Sequence, residues 1–164
     1  MRNFVRSIGL FRPLADQGDA DAQTTLGIMY QAGHGVPKDD AQAVKWFRLA
    51  ADQGHARAQT SLGTMYASGH GVPQDYAQAA KWFRLAADQA NAWAQGMLGI
   101  MYQAGDGVPQ DYVEAHKWFN LSAAWAPDAD IRERAVKARD ELASMMTPAQ
   151  VAEAQKRASA WQPK

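Results

Sequence analysis

The sequence repeats itself every 36 residues, and a chain built on such a period has few folds open to it. Trp46, Trp82 and Trp118 stand at that step, as do Leu26, Leu62 and Leu98, then Tyr30, Tyr66 and Tyr102, then Pro37, Pro73 and Pro109. Glycines keep the same register at Gly27, Gly63 and Gly99, and again at Gly33, Gly69 and Gly105. Three full units result: 21–56, 57–92 and 93–128. Phe11, Arg12 and Asp16-Gln17-Gly18 echo Phe47, Arg48 and Asp52-Gln53-Gly54, so residues 1–20 read as part of a preceding unit. Residues 129–164 leave the pattern. The expectation is a single repeat domain over 1–164.

Inside a unit the spacing is helical. Ala22, Leu26, Met29 and Tyr30 share one face of a helix. Gly33 and Gly35 end it, and Pro37 forbids its continuation. Asp39 is then placed as an N-cap with Gln42 at capping-box spacing; Asp75 with Gln78 and Asp111 with Glu114 repeat the arrangement. The second helix turns Ala43, Trp46, Phe47, Ala50 and Ala51 inward. Isolated helices of about 13 residues are marginal in water, so each hairpin needs neighbours to cover its apolar sides. After the third unit, Ile131, Ala135, Ala138, Leu142 and Met145 form one more amphipathic stripe. Thr147-Pro148-Ala149-Gln150 then opens a last helix with Val151, Ala154, Ala158 and Trp161 on one side. The predicted fold is all-α: a solenoid of stacked helix-turn-helix repeats closed by a C-terminal pair of capping helices.

The signature LGxMYxxGxGVPxDxxxAxxWFxxAA, carried here from Leu26-Gly27-Ile28-Met29-Tyr30 through Pro37 to Lys45-Trp46-Phe47 and twice more, is similar to the Sel-one-like repeat. That family is a 36-residue relative of the tetratricopeptide repeat, and the resemblance covers about residues 11–128. It implies a right-handed α-α superhelix that acts as an adaptor, holding protein partners on its concave side.

Composition narrows the function from another direction. Seventeen basic and seventeen acidic side chains give no net charge, which removes the footprint of a nucleic-acid binder or of a protein drawn to anionic membranes. The absence of cysteine excludes disulfides, thiolate metal sites and thiol nucleophiles. No serine sits in a glycine elbow, and the Gly-x-Gly pairs follow helices instead of preceding them, the wrong polarity for cradling phosphate. Asp39, Asp75 and Asp111 form a row of carboxylates, each explained as a cap. His34 and His70 occupy one turn in successive units, but stacked helices lie about 8–10 Å apart, too far to share an ion. His55 falls where Asp19 and Asn91 stand in other units and reads as a cap; His116 is expected at the surface. No catalytic residue, cofactor or metal ligand is therefore expected.

What differs between units marks what packing leaves free. On the first helices these positions include Thr24, Ile28 and Gln31, then Thr60, Thr64 and Ala67, then Trp93, Met97, Ile100 and Gln103. Most are neutral and mildly apolar, which suits a groove for an extended peptide or a partner helix. Trp93 replaces Asp21 and Arg57, so it is either a binding hot spot or a ring packed on the C-terminal cap or Trp125. The leading expectation is a non-catalytic protein-interaction scaffold binding a peptide or helix on the concave face. One alternative is a cell-envelope hydrolase borrowing the fold. Another is a self-assembling module, a homodimer through the incomplete N-terminal repeat, where Phe4, Ile8 and Phe11 lack a covering partner. Arginines at 2, 6 and 12 interrupt any signal-peptide core, so the chain as it stands reads as cytoplasmic, and as periplasmic or secreted if its true start lies upstream.

Overall fold

Where glycine and proline punctuate the period, the backbone turns. The computed structural model describes residues 2–164, with side chains from Ile8 onward. Among these residues it holds nine helices and no strand: α1 (Arg2–Asp16), α2 (Ala20–Ala32), α3 (Asp40–Asp52), α4 (Ala56–Ser68), α5 (Tyr76–Asp88), α6 (Ala92–Ala104), α7 (Tyr112–Trp125), α8 (Ala129–Ala143) and α9 (Pro148–Ala160). Close packing divides the chain into two compact units, Met1–Ala79 and Ala80–Lys164, with the division inside α5.

In the first unit α2 packs on α1 and on α3, and α3 packs on α4. Asp19 starts α2 by accepting the Ala22 N–H at 2.7 Å, and Gly33 ends it in the left-handed conformation with its N–H donated to the Met29 carbonyl. Asp39 accepts the Gln42 N–H at 2.9 Å and starts α3. The two helices approach closely because Gly27 has no side chain: a Cβ there would stand 2.5 Å from the Phe47 ring. A core of Ala15, Ala22, Leu26, Met29 and Trp46 fills the unit, and Ile8 and Phe11 of α1 pack against it. This corrects the expectation that Ile8 and Phe11 lack a partner; Phe4 lies outside the described side chains. Among the described side chains of α1, Leu10 and Leu14 are large apolar residues left exposed, at 70% and 48%.

In the second unit α7 packs on α6, α8 and α9. Gly99 repeats the close approach, its absent Cβ 2.6 Å from the Phe119 ring. Leu142 of α8 joins Ala115 and Phe119, with Ala138 and Met146 against them. Met145, expected on the α8 stripe, lies past the helix end and is exposed, and Met146 packs in its stead. Thr147 and Gln150 form the reciprocal capping box that opens α9. Trp161 closes the unit edge-on to Trp118 and Trp125, with centroids 6.3 and 6.1 Å away. Lys164 pairs with Asp88 at 2.8 Å. Leu121 of α7 is buried, whereas Leu49 and Leu85 at the same register are exposed.

Two sets of contacts recur at the repeat step. The Nε2 groups of buried Gln23, Gln59 and Gln95 donate to the carbonyls of Ala15, Ala51 and Ala87 at 3.1–3.2 Å. Each bond satisfies a carbonyl in the last turn of the preceding helix, which has no acceptor role left inside that helix. Arg12 lies 5.1 Å over the Trp46 ring and Arg84 4.7 Å over Trp118, while Arg84 also donates to the Tyr102 hydroxyl at 2.6 Å. Arg48 bonds the Tyr66 hydroxyl in the same manner. Trp46, Trp82 and Trp118 are all buried, as the inward face of the second helices requires.

The turn before each first helix passes through positive φ: 96° at Gly18, 87° at Gly54, and 62° at Ala90, the one non-glycine there. An L side chain in that region costs about 1–2 kcal/mol, partly offset by the greater unfolded-state freedom of glycine. Ala90→Gly is therefore expected to raise stability by about 0.5–1 kcal/mol. The midpoint of a urea titration measures this, and an unchanged or lower midpoint would contradict the strain.

Candidate functional site

The first helix of each repeat keeps Ala, Gln, Leu, Gly and Met on its packed side, which leaves the rest of its circumference to vary. In α6 the varied side carries Trp93, Met97 and Ile100, spaced i, i+4 and i+7 and so aligned along one stripe. Ile131, Arg134, Ala135 and Ala138 of α8 face them across a gap, with Phe119 and Ser122 of α7 beneath. The result is an open, almost wholly apolar pocket of about 150 Å³. Ser122 adds no free polarity to its floor, because its hydroxyl donates to the Ala92 carbonyl at 2.8 Å. Trp93 and Ile100 remain 44% and 50% exposed at the rim. Arg134 is held by Asp130, one turn away on α8, at 3.0 Å, and both side chains are about two-thirds exposed.

The structure thus brings Trp93, Met97 and Ile100 together and leaves Gln103 outside that group. Trp93 stands against α8, while Trp125 takes Trp161 as its ring partner. In the first unit Ile28, Gln31, Thr60 and Ala67 are half-buried and Thr64 is exposed; Gln31 donates to the Met65 sulfur at 3.3 Å. Thr24 departs from expectation. It is buried, its hydroxyl bonded to the Ala20 carbonyl at 2.8 Å and in contact with His55 Nδ1 at 3.1 Å.

That contact belongs to a polar cluster that sequence reasoning did not find. His55 caps α4 as expected, Nδ1 accepting the Ala58 N–H at 3.3 Å. The tautomer assigned by that bond places the ring proton on Nε2, which meets Asp21 Oδ1 at 2.9 Å. Asp21, His55 and Thr24 therefore lie in the order of a hydrolytic triad, but the one Thr24 hydroxyl proton goes to the Ala20 carbonyl and Nδ1 takes the Ala58 N–H, so no proton links hydroxyl to ring. Thr24 is 3% exposed and its hydroxyl is committed to a helix carbonyl, so no substrate carbonyl reaches it. The Asp21–His55 contact ties α2 to α4. Among the described residues no group of three His, Asp or Glu side chains is placed to hold a metal ion. No helix among them is long and apolar enough to cross a membrane.

His116 was expected at the surface and is instead buried, with no partner for Nδ1. Its register positions in the other repeats, Val44 and Ala80, are buried too, a signal that the comparison of units contained. Burial pushes the imidazole below its ordinary value, the Arg139 charge adds to this, and Asp140 opposes it. Burial pushes the Glu114 carboxyl up, but hydrogen bonds and charge from Lys117 and Arg157 outweigh it and hold it below the usual range. The Lys117 contact, at 2.6 Å, lies within α7, and the Arg157 contact, at 2.9 Å, joins α7 to α9.

Comparison with known proteins agrees with this geometry. The family model of the Sel1 repeat matches residues 20–55, 56–91 and 94–124. A crystal structure of a Sel1 repeat protein from Oxalobacter formigenes is 37% identical, with a TM-score of 0.70 over 80% of this chain and 98% of that one. A second, c5321, a protective antigen present in uropathogenic Escherichia coli strains and displaying an SLR fold, is 31% identical with a TM-score of 0.72. That match covers 95% of this chain, which spans 46% of the longer protein. A search of curated proteins finds no match. The fold is that of the all-α helical-repeat solenoids.

A histidine held neutral in the fold makes stability fall on acidification. Above about pH 6.5 neither folded nor unfolded chain protonates it; below that, the unfolded chain takes up a proton that the folded chain resists. Glu114 adds a second loss, beginning below about pH 4.5, where the unfolded carboxyl protonates first. Thermal melts from pH 7 to 4 of the native chain and of His116→Val are expected to diverge just below pH 6.5, the variant losing the upper decline and keeping the lower. Parallel curves would contradict the burial of a neutral ring.

Proposed function

This chain belongs to the Sel1 repeat family, and from that premise we propose that it is a non-catalytic scaffold that binds a peptide or partner helix through the exposed side of its first helices. Proteins of this family generally serve as protein–protein interaction scaffolds. The observation that carries the reading here is the half-exposed pair Trp93 and Ile100 at the mouth of an apolar pocket. Monomers seldom leave a large aromatic ring and a β-branched side chain together in solvent without a use, and tryptophan is the residue most enriched at binding hot spots. Ile28, Thr60, Thr64 and Ala67 offer a milder surface of the same kind in the first unit, with Gln31 as a hydrogen-bonding group, and Gln103 of α6 supplies another in the second unit; Thr24, being buried, is withdrawn from the surface set.

Peptides selected from a random library against the whole chain are expected to lose about tenfold or more in affinity, roughly 1.4 kcal/mol, with Trp93→Ala or Ile100→Ser. They should keep it with Lys45→Ala or Lys81→Ala, which alter exposed second-helix positions. The reverse pattern would move the binding surface to the second helices.

A second reading rests on α1. Leu10 and Leu14 hold the register of Trp46 and Ala50, which are buried in a complete repeat, yet both leucines are exposed. A second copy covering them would make a homodimer, and sedimentation equilibrium should then show a dimer that Leu10→Glu with Leu14→Glu converts to monomer. A native monomer at high concentration removes this reading.

A further inference from the structure

The pocket between α6 and α8 is sized and lined for one occupant. We propose that it anchors a single phenylalanine side chain of a partner peptide, with an adjacent acidic residue of that peptide on Arg134. The inference rests on the scaffold reading and specifies the partner chemistry of its C-terminal portion.

Volume comes first. An apolar protein cavity of about 150 Å³ admits a benzene molecule, and this pocket has that volume. One phenyl ring fills it; an indole does not fit, and the face of a helix is far too wide. The polarity of the lining then separates phenylalanine from tyrosine. Met97, Ile131, Ala135 and Phe119 present carbon and sulfur, and the Ser122 hydroxyl is spent on the Ala92 carbonyl. A phenolic hydroxyl carried to the floor would have no partner there and would lose its water.

Charge supplies the second contact. Arg134 is the one charged residue of the lining, and its ion pair with Asp130 is exposed on both sides and spans a single helical turn. Such a pair contributes little and leaves guanidinium donors available to a second carboxylate. Two of its residues also belong to the third repeat alone in sequence: where it has Trp93 and Met97, the others have Asp21 and Thr25, or Arg57 and Ser61.

The test follows the methyl resonances of Met97, Ile100 and Ile131 in the full chain during titration with N-acetyl-phenylalanine amide. Saturable shifts at these methyls are expected, with the tyrosine and alanine analogues at least fivefold weaker. N-acetyl-Glu-Phe amide should bind a few-fold more tightly than its Gln-Phe counterpart, a gain that salt reduces and Arg134→Gln abolishes. Ile100→Ser, at an exposed position, keeps the fold and should weaken every aromatic probe; the slightly larger change Ala138→Leu should block them. Unmoved methyls at tens of millimolar probe, equal binding of phenylalanine and tyrosine, or a glutamate gain that survives Arg134→Gln would each overturn the assignment. Should library peptides depend on Trp93 while these methyls stay silent, the pocket assignment falls and the scaffold reading stands. Should the phenylalanine probe bind while no peptide does, the scaffold reading falls and takes the partner-peptide assignment with it, leaving only a site for a phenyl group.

Discussion

A phenyl ring lying directly on bare helix backbone sets the spacing on which the fold depends. Phe47 rests on Gly27 and Phe119 on Gly99, in each case closer than any Cβ would allow. Glycine inside a helix costs about 1 kcal/mol relative to alanine, and complete burial of a phenylalanine returns about 1.5–3 kcal/mol. The exchange favours the close pair, and the close pair brings the flanking side chains within reach of one another. Buried glutamine amides then meet the ends of preceding helices, and arginines of second helices lie over tryptophan and tyrosine rings. Each of these contacts joins residues less than one repeat apart and recurs at the repeat step, which is why the chain can use the same residues again.

The third repeat keeps this frame and changes what surrounds it. Glu114 stands where Gln42 and Gln78 do, and Trp125 where Gln53 and Gln89 do. Both changes face α9: Glu114 receives Arg157, and Trp125 receives the edge of Trp161. One consequence is a loss. Gln53 donates to Gln23 Oε1 at 2.8 Å in the first unit, while Gln95 Oε1, whose register partner has become Trp125, is buried without a donor. The terminal helix is thus docked at the expense of one hydrogen bond in the repeat's own network. On the other side of α7, α8 stands off from α6 far enough to leave a pocket, and two of the residues that α6 turns toward it, Trp93 and Met97, are peculiar to this repeat.

Several features were legible in the residues because they follow from spacing alone. The caps at Asp39, His55, Asp111 and Thr147 and the inward tryptophans are local or periodic properties, and all are found in place, whereas α8 ends before the Met145 that its stripe includes. The errors share a cause. Treating variation between units as exposure misplaced Thr24 and His116, because a buried position accepts different residues when each finds its own partner or stays neutral. Ile8 and Phe11 were left uncovered in the sequence reading because periodicity says which residues are apolar but not how far a first helix reaches along its neighbour. The glutamines at 23, 59 and 95 stand at the same step as the tryptophans, and their burial is explained by their bonds to helix-terminal carbonyls, which the sequence does not display.

By itself the order of amino acids determined the repeat, its helices and the side each helix buries, since these depend on contacts at short range repeated at constant interval. Where α8 and α9 come to rest was decided in three dimensions. Their sequences show amphipathic stripes that many surfaces would satisfy, and the choice was made by particular long-range partners: Glu114 for Arg157, the Trp118 and Trp125 edges for Trp161, and Leu142 in the cluster around Phe119. The pocket beside Trp93 exists only as the space left by that choice, and a cavity is a property of packing that no linear pattern contains.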